Sequence, residues 1–160
     1  MDLGIIAGLS DLICITGIPG TGKTTICRML NEAGISCEGL NRLAENSGAL
    51  EGDTVDVDIL SRVEIKSAVV EAHYSHLLNC SHVIILVDNE EILRKRMEMR
   101  GYTGNKIDEN LDAQRAGIIY YEALERLPAG RIHILEERSR NIEEVYRDVI
   151  SIISMINEKS

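Results

Sequence analysis

Short apolar runs alternate with amphipathic stretches along the chain, and the order of the two is informative. Leu12-Ile13-Cys14-Ile15-Thr16 is an apolar run ending at a glycine and predicts a buried strand. A glycine-rich turn follows, then residues 24–33 place Ile26, Met29, Leu30 and Ala33 at helical spacing, with Gly34 as a stop. Residues 35–37 suggest a brief second strand, and residues 38–67 carry no sustained period. Residues 68–72 read as a third strand ending on a charge, and residues 82–88 as the clearest strand of all. Residues 90–100 predict a helix supported by Glu90/Arg94 and Glu91/Lys95 pairs four apart. After a turn-rich break at 101–105, a single long helix is predicted over about 107–127, stopped by Pro128. A last strand covers 131–135. Asn141 with Glu144 three residues on forms a capping box for a helix with Ile142, Val145, Val149, Ile152, Ile153 and Ile156 on one face. Strands alternating with helices predict an α/β fold with a mostly parallel sheet.

A length of 160 residues suits a single domain, residues 1–160, and 44% apolar residues suffice for a real core. The formal net charge is −9, with no Trp, no Phe and five Tyr. That balance argues against a basic nucleic-acid binder and against aromatic platforms for single strands, so no direct nucleic-acid binding is expected. The four cysteines, Cys14, Cys27, Cys37 and Cys80, form no C-x-x-C pair and are expected to remain thiols. No stretch reaches the roughly 18 apolar residues of a membrane span, and the start lacks a signal-peptide pattern, so a cytoplasmic protein without a membrane partner is expected.

The chemistry concentrates after the first strand. Gly17-Ile18-Pro19-Gly20-Thr21-Gly22-Lys23-Thr24 matches G-x-x-x-x-G-K-[ST] in full. Glycines let successive N–H groups curl around phosphate oxygens, and the following helix offers its positive end to the same anion. By this reading Gly17, Gly20, Thr21, Gly22, Lys23, Thr24 and Thr25 hold ATP. Lys23 reaches the β/γ oxygens, and the Thr24 hydroxyl holds Mg²⁺. The fixed positions arise by chance in roughly one in two hundred chains of this length.

Asn105-Lys106-Ile107-Asp108 spells the N-K-x-D string that reads guanine in GTP-binding proteins. It follows a turn rather than a buried strand, however, and no D-x-x-G string occurs, so a GTPase is disfavoured. More telling are Arg96 and Arg100, four apart on one predicted helix, with Arg115 further along. Like charges at that spacing repel unless an anion lies between them. Arginines on a closing flap can neutralise the charge of a phosphoryl-transfer transition state. The alternative is a solvated basic face paired with Glu98 or Asp88.

The phosphate loop, Val70-Glu71-Ala72-His73 with His76-Leu77-Leu78, and Arg100-Gly101-Tyr102 with Lys106-Ile107 and Asn110-Leu111 together carry a resemblance. Over about residues 12–150 the chain resembles the atypical, nuclear-type adenylate kinases, the CINAP-like proteins and their archaeal counterparts. The resemblance implies a P-loop fold with a five-stranded parallel sheet flanked by helices. It also implies a small segment for the monophosphate (about 38–60) and a short lid (about 99–111). It further implies Mg-dependent ATP + AMP ⇌ 2 ADP, ATPase activity, and binding of a small-subunit ribosomal protein of the S11/S14 type in ribosome assembly. Carried over by position, Lys23, Arg100, Glu71 and His73 are catalytic candidates, Arg96 joins them on its spacing with Arg100, and Arg100 contacts nucleotide. Glu71 stands where the family often has Asp and would orient a metal-bound water. Leu43-Ala44-Glu45 stands where Leu-Ala-Arg is expected, leaving Arg42 or Arg62 to clasp the AMP phosphate. His76 and His82 are expected to be structural, and adenine recognition by backbone is expected around 137–141. The leading expectation is a nucleotide kinase. The alternative is an ATP-hydrolysing assembly factor with weak or no kinase activity.

Overall fold

The computed structural model describes residues 11–51, 54–137 and 141–158. In chain order the first half runs β1 (Ile13–Thr16), α1 (Lys23–Glu32), β2 (Cys37–Gly39), α2 (Leu40–Ser47), β3 (Leu50–Glu51), β4 (Thr54–Val55), α3 (Val57–Leu60) and β5 (Val69–Glu71). The second half runs β6 (His82–Val87), α4 (Glu90–Met99), α5 (Gly104–Ala116), α6 (Ile118–Leu124), β7 (Ile132–Glu136) and α7 (Ile142–Glu158). Five strands make a parallel sheet in the order β2-β5-β1-β6-β7, while β3 and β4 form a separate antiparallel pair. The alternation of elements predicts the parallel α/β sheet, and five strands in a P-loop arrangement are what the resemblance implies.

The inner strands β1 and β6 are mostly apolar because both their faces are covered, whereas the edge strands β2 and β7 carry Glu38, His133 and Glu136. Ile13, Ile15, Val69, Ile84 and Leu86 face one layer with Ile26 and Leu30 of α1 and Val145, Val149 and Ile153 of α7. Their neighbours Cys14, Val70, Val83 and Ile85 face the other layer, with Leu40 and Ala44 of α2 and Ala123 of α6. A third cluster joins Ile18 to Leu93 and Met97 of α4 and Ile107 and Leu111 of α5. This cluster seats the phosphate loop on the two helices beside it.

Register sets the site. Ile15 lies opposite both Glu71 and Ile84, and Glu71 lies opposite Gly39, so the carboxyl ends of β2, β5 and β1 reach one edge together.

Several expectations require correction. The long helix over 107–127 is two helices, because Gly117 adopts φ +65° and turns the chain between them. The second strand begins at Cys37, two residues later than its hydrophobic pattern suggests. The predicted Glu90/Arg94 and Glu91/Lys95 pairs give way to contacts between helices: Arg115 pairs with Glu90, and Arg94 with Asp108 at 3.0 Å. With α5 packed on α4, these partners are nearer than those a turn away.

The cysteines are also paired. Cys14 bonds Cys80 across 66 residues, and Cys27 bonds Cys37 across 10. Sheet order decides the first pair, placing β1 beside the approach to β6, and no sequence spacing records that proximity. Residues 38–67 show no period because the short elements there bury so little: α2 buries Leu40 and Ala44, α3 buries Leu60, and β3 and β4 have no buried side chain. Among the described residues no helix is long and apolar enough to cross a membrane.

Candidate active site

Between β1 and α1 the chain curls tightly. Gly17 has φ +146°, and a Cβ there would lie 2.6 Å from the carbonyl oxygen of Leu86 in β6. Only glycine permits that close approach. Gly20 and Gly22 also take positive φ, and Thr21 Oγ1 donates to Ile18 O at 3.0 Å, closing the loop on itself. Gly22 caps α1 without a side chain, so no side-chain acceptor competes for the N–H groups of the first turn.

Lys23 is buried, and its ammonium donates to Gly17 O at 2.8 Å and Ile18 O at 3.0 Å. Burial lowers its pKa to about 8, against the opposing attraction of Glu71 and with a further push from Arg100. Thr24 Oγ1 donates to Glu71 Oε2 at 3.3 Å. Burial raises the Glu71 pKa, with Lys23 and the Thr24 hydrogen bond acting in the other direction. Gly39 leaves room for this carboxylate, since a Cβ there would sit 3.1 Å from Glu71 Oε2. A hydroxyl and a carboxylate converging at the foot of a phosphate loop are hard oxygen donors of the type Mg²⁺ prefers, so the residues present fit that ion.

Arg96 is committed to the loop. Its Nη1 donates to Gly20 O at 2.6 Å and reaches Asp88 Oδ2 at 3.4 Å. Asp88 is buried at the end of β6, and its other oxygen accepts from Asn89 N at 2.7 Å. Gln114 Nε2 of α5 donates to Asp88 O at 3.0 Å, tying a third element to the same point.

Arg100 is exposed at the end of α4, close enough for its charge to be felt by Lys23. Arg115 faces elsewhere, held by Glu90 and Asp112. The segment expected as a lid is a turn at 101–103 followed by α5, whose first turn is capped by Thr103 Oγ1 accepting from Lys106 N at 3.3 Å. Asn105–Asp108 is helical, with Asp108 spent on Arg94, which is no base-reading loop.

His73 lies at the surface after β5, with its carbonyl accepting from Thr16 Oγ1 at 3.1 Å and its ring edge-on to Tyr74. Partial desolvation and the nearby Lys23 charge lower its pKa. His76 is buried, with Nδ1 3.2 Å from Thr16 Oγ1 and Nε2 2.9 Å from Glu122 Oε1. His82 meets His133 of the neighbouring strand at 3.2 Å. Both have structural contacts, as expected.

Beside Thr24 and Glu71 opens a cavity of about 680 Å³, lined also by Arg28, Arg42, Leu43 and Asn46. Arg42 therefore shares a cavity with Thr24 and Glu71, whereas Arg62 stands exposed past α3 and does not line it. Glu45 is exposed on α2.

Two acids escaped the sequence reading of the site. Asp88 was considered only as a pairing partner, and Glu137 only as backbone. Glu137 is buried, its amide bonds Val87 O at 2.7 Å, and its charge favours the ammonium of Lys23. Asp88 follows an apolar strand directly, the same signal that singled out Glu71, whereas Glu137 follows Glu136 at the end of a strand that also carries His133 and has no such signal. Residues 138–140 of the expected adenine-reading stretch lie outside the described residues, and Asn141 caps α7.

The AAA domain family matches residues 13–117. A protein named "Putative adenylate kinase" from Thermoplasma acidophilum is 52% identical over 145 residues, covering 89% of this chain and 97% of that protein. Proteins of the same name from Thermoplasma volcanium and Archaeoglobus fulgidus are 44% and 36% identical, covering 91% and 89% of this chain and 95% and 82% of their own lengths. The fold is shared with thymidylate kinase from Candida albicans, at TM-score 0.56 and 12% identity over 93% of each chain. It is shared too with TT1252 from Thermus thermophilus, at TM-score 0.55 and 17% identity over 90% of this chain and 96% of that one. From its phosphate loop to its similarity over most of its length, the chain belongs to the atypical archaeal adenylate kinase family of P-loop proteins.

Proposed function

We propose that this chain transfers the γ-phosphoryl group of ATP to AMP, giving two ADP. The observation that carries the reading is the cavity adjoining Thr24 and Glu71 on the side away from the loop, with Arg42 and Arg28 in its wall. Its volume lies within the range of small-molecule sites, and its cations suit the phosphate of a nucleoside monophosphate.

The loop amides and Lys23 hold the donor's phosphates, and Arg100 approaches from the end of α4. Thr24 and Glu71 would hold Mg²⁺, which would supply charge neutralisation when bound. An acceptor phosphate oxygen attacks the γ-phosphorus, the bond to the β–γ bridging oxygen breaks, and its electron pair leaves with ADP. An ionised acceptor needs no base, so the work is positioning and electrostatics. In that scheme His73 positions water or couples nucleotide state to structure rather than moving a proton. Arg96 supports the loop that binds the phosphates.

A coupled assay of ATP turnover with Mg²⁺, run with and without each nucleoside monophosphate, tests the reading. AMP should accelerate ADP formation, and Lys23→Ala should abolish it. Slow ATP hydrolysis indifferent to every monophosphate would instead favour the second reading, a nucleotide-dependent assembly factor for a basic ribosomal protein. That reading draws on the net charge of −9 and on the acid at position 45.

A further inference from the structure

The Cys27–Cys37 bond forms part of the wall of the cavity that also holds Thr24, Glu71 and Arg42. We propose that Cys27 and Cys37 are a reversible thiol–disulfide site that sets how tightly this cavity holds its nucleoside monophosphate. The proposal rests on the acceptor reading given above.

Connectivity carries the argument. Cys27 stands three residues past Thr24 on α1, so the two share one face of the helix that begins at Lys23. On the other side of the bond, β2 runs from Cys37 to Gly39, which abuts the Glu71 carboxylate. Then α2 begins at Leu40 and carries Arg42. One covalent link thus joins the helix under the donor phosphates to the arm that brings a cation to the acceptor.

The fold itself does not hang on this link. Asn31 Nδ2 donates to Cys37 O, and Cys37 N donates to Asn31 Oδ1, both at 2.9 Å. Ile35 N bonds Leu30 O at 2.9 Å, and Cys37 pairs with Val69 in the sheet. Those contacts keep β2 in place when the bond is open. Cys14–Cys80 differs in place: all four cysteines are buried, but neither Cys14 nor Cys80 lines this cavity, whereas Cys27 and Cys37 both do.

The chemistry is thiol–disulfide exchange with a dithiol, either a small molecule or a protein. Its thiolate attacks one sulfur, the S–S bond breaks, and the released cysteine thiolate takes a proton. The reductant's second thiol then resolves the mixed disulfide, freeing the other cysteine. Two electrons and two protons reach the pair, and the reductant departs as a disulfide. The sulfurs then separate from bonding to van der Waals contact, and the covalent tether from α1 to the strand that leads into α2 is gone, leaving the Asn31 hydrogen bonds to place α2 and Arg42 less firmly.

The test uses the full chain with its bonds mapped by alkylation and mass spectrometry, and reads KM for AMP and for ATP separately. Treating the oxidised protein with dithiothreitol should raise the AMP KM at least fivefold while the ATP KM moves less than twofold. The double variant Cys27→Ser/Cys37→Ser should show the raised AMP KM without reductant and should not respond to it. An AMP KM that is the same in both redox states, or thiols at 27 and 37 that stay free after oxidation, overturns the proposal and leaves the acceptor reading standing. Absence of AMP phosphorylation in either state overturns both.

Discussion

Arg96 Nη1 holds the carbonyl oxygen of Gly20 at 2.6 Å while the same guanidinium nitrogen reaches Asp88 at 3.4 Å. The arginine is therefore a strut between α4 and the phosphate loop. By engaging one loop carbonyl, it restrains the peptide between Gly20 and Thr21.

Truncating that strut should loosen the loop and strand a buried acid. Arg96→Ala removes a charge-assisted hydrogen bond and leaves Asp88, whose side chain is only 4% exposed, without its cation. Since Arg96 itself is 45% exposed, solvent screening holds the expected cost to about 1–2 kcal/mol. Thermal unfolding should register that loss, and calorimetric titration should show ATP binding weakened about tenfold. Arg96→Lys should fall between the two, because an ammonium lacks the planar fork. Unchanged ATP affinity in Arg96→Ala would remove the strut from the account.

Lys23 is held at a pKa of about 8, below its ordinary value of 10.5. Between those values the unfolded chain binds more protons than the folded one, so this group's contribution to stability rises with pH over that window. Below it, the buried charge is a full penalty, on the order of 3–4 kcal/mol. Lys23→Met should therefore melt higher than the parent at pH 7 and lose the slope between pH 8 and 10.5, while no longer binding ATP. In the parent, triphosphate binding at pH 8 should draw up about half a proton, since the anion restores the charged form. Calorimetry in buffers of differing ionisation enthalpy reads that number directly.

Thr24 and Glu71 meet at 3.3 Å beneath the loop. Thr24→Ala and Glu71→Gln should each lower Mg²⁺-dependent turnover about a hundredfold while Mg-free ATP still binds. Glu71→Gln carries a second signature. The Glu71 charge raises the Lys23 pKa, so its loss should move the Lys23 titration still lower. A Glu71→Gln enzyme with parental metal dependence would count against the metal assignment.

The glycines of the chain are unequal. Gly17→Ala would put a methyl group 2.6 Å from Leu86 O at a backbone angle of φ +146°, costing about 1–3 kcal/mol and distorting the loop. Gly130→Ala meets nothing within 4 Å and should stay within about 0.5 kcal/mol of the parent. Denaturant unfolding of the two variants makes the comparison.

Much of this molecule is local in origin. The run at 12–16, the loop from Gly17 to Thr24, the helix after it and the capping box at Asn141 each need only neighbours a few residues away, and each occurs close to where its pattern lies. Asn141 Oδ1 does accept from Glu144 N at 3.0 Å. The segment from 38 to 67 was opaque because its elements are a turn or two long and are stabilised by what they rest on. Leu40, Ala44 and Leu60 are fully buried yet too sparse to make a period.

The amino-acid order alone thus determined the phosphate-binding loop, the strand–helix alternation and the carboxylate at the end of β5, since these depend on short-range geometry and on which side chains avoid water. Tertiary structure decided which arginine braces the loop, which lies near enough to Lys23 for its charge to be felt and which only joins α4 to α5. It also paired the cysteines and opened a cavity beside Thr24. Arg96 lies 76 residues from Gly20, and Cys14 lies 66 from Cys80. At such separations a contact exists only because the order of strands in the sheet brings the two together, and strand order leaves no periodic trace in the chain.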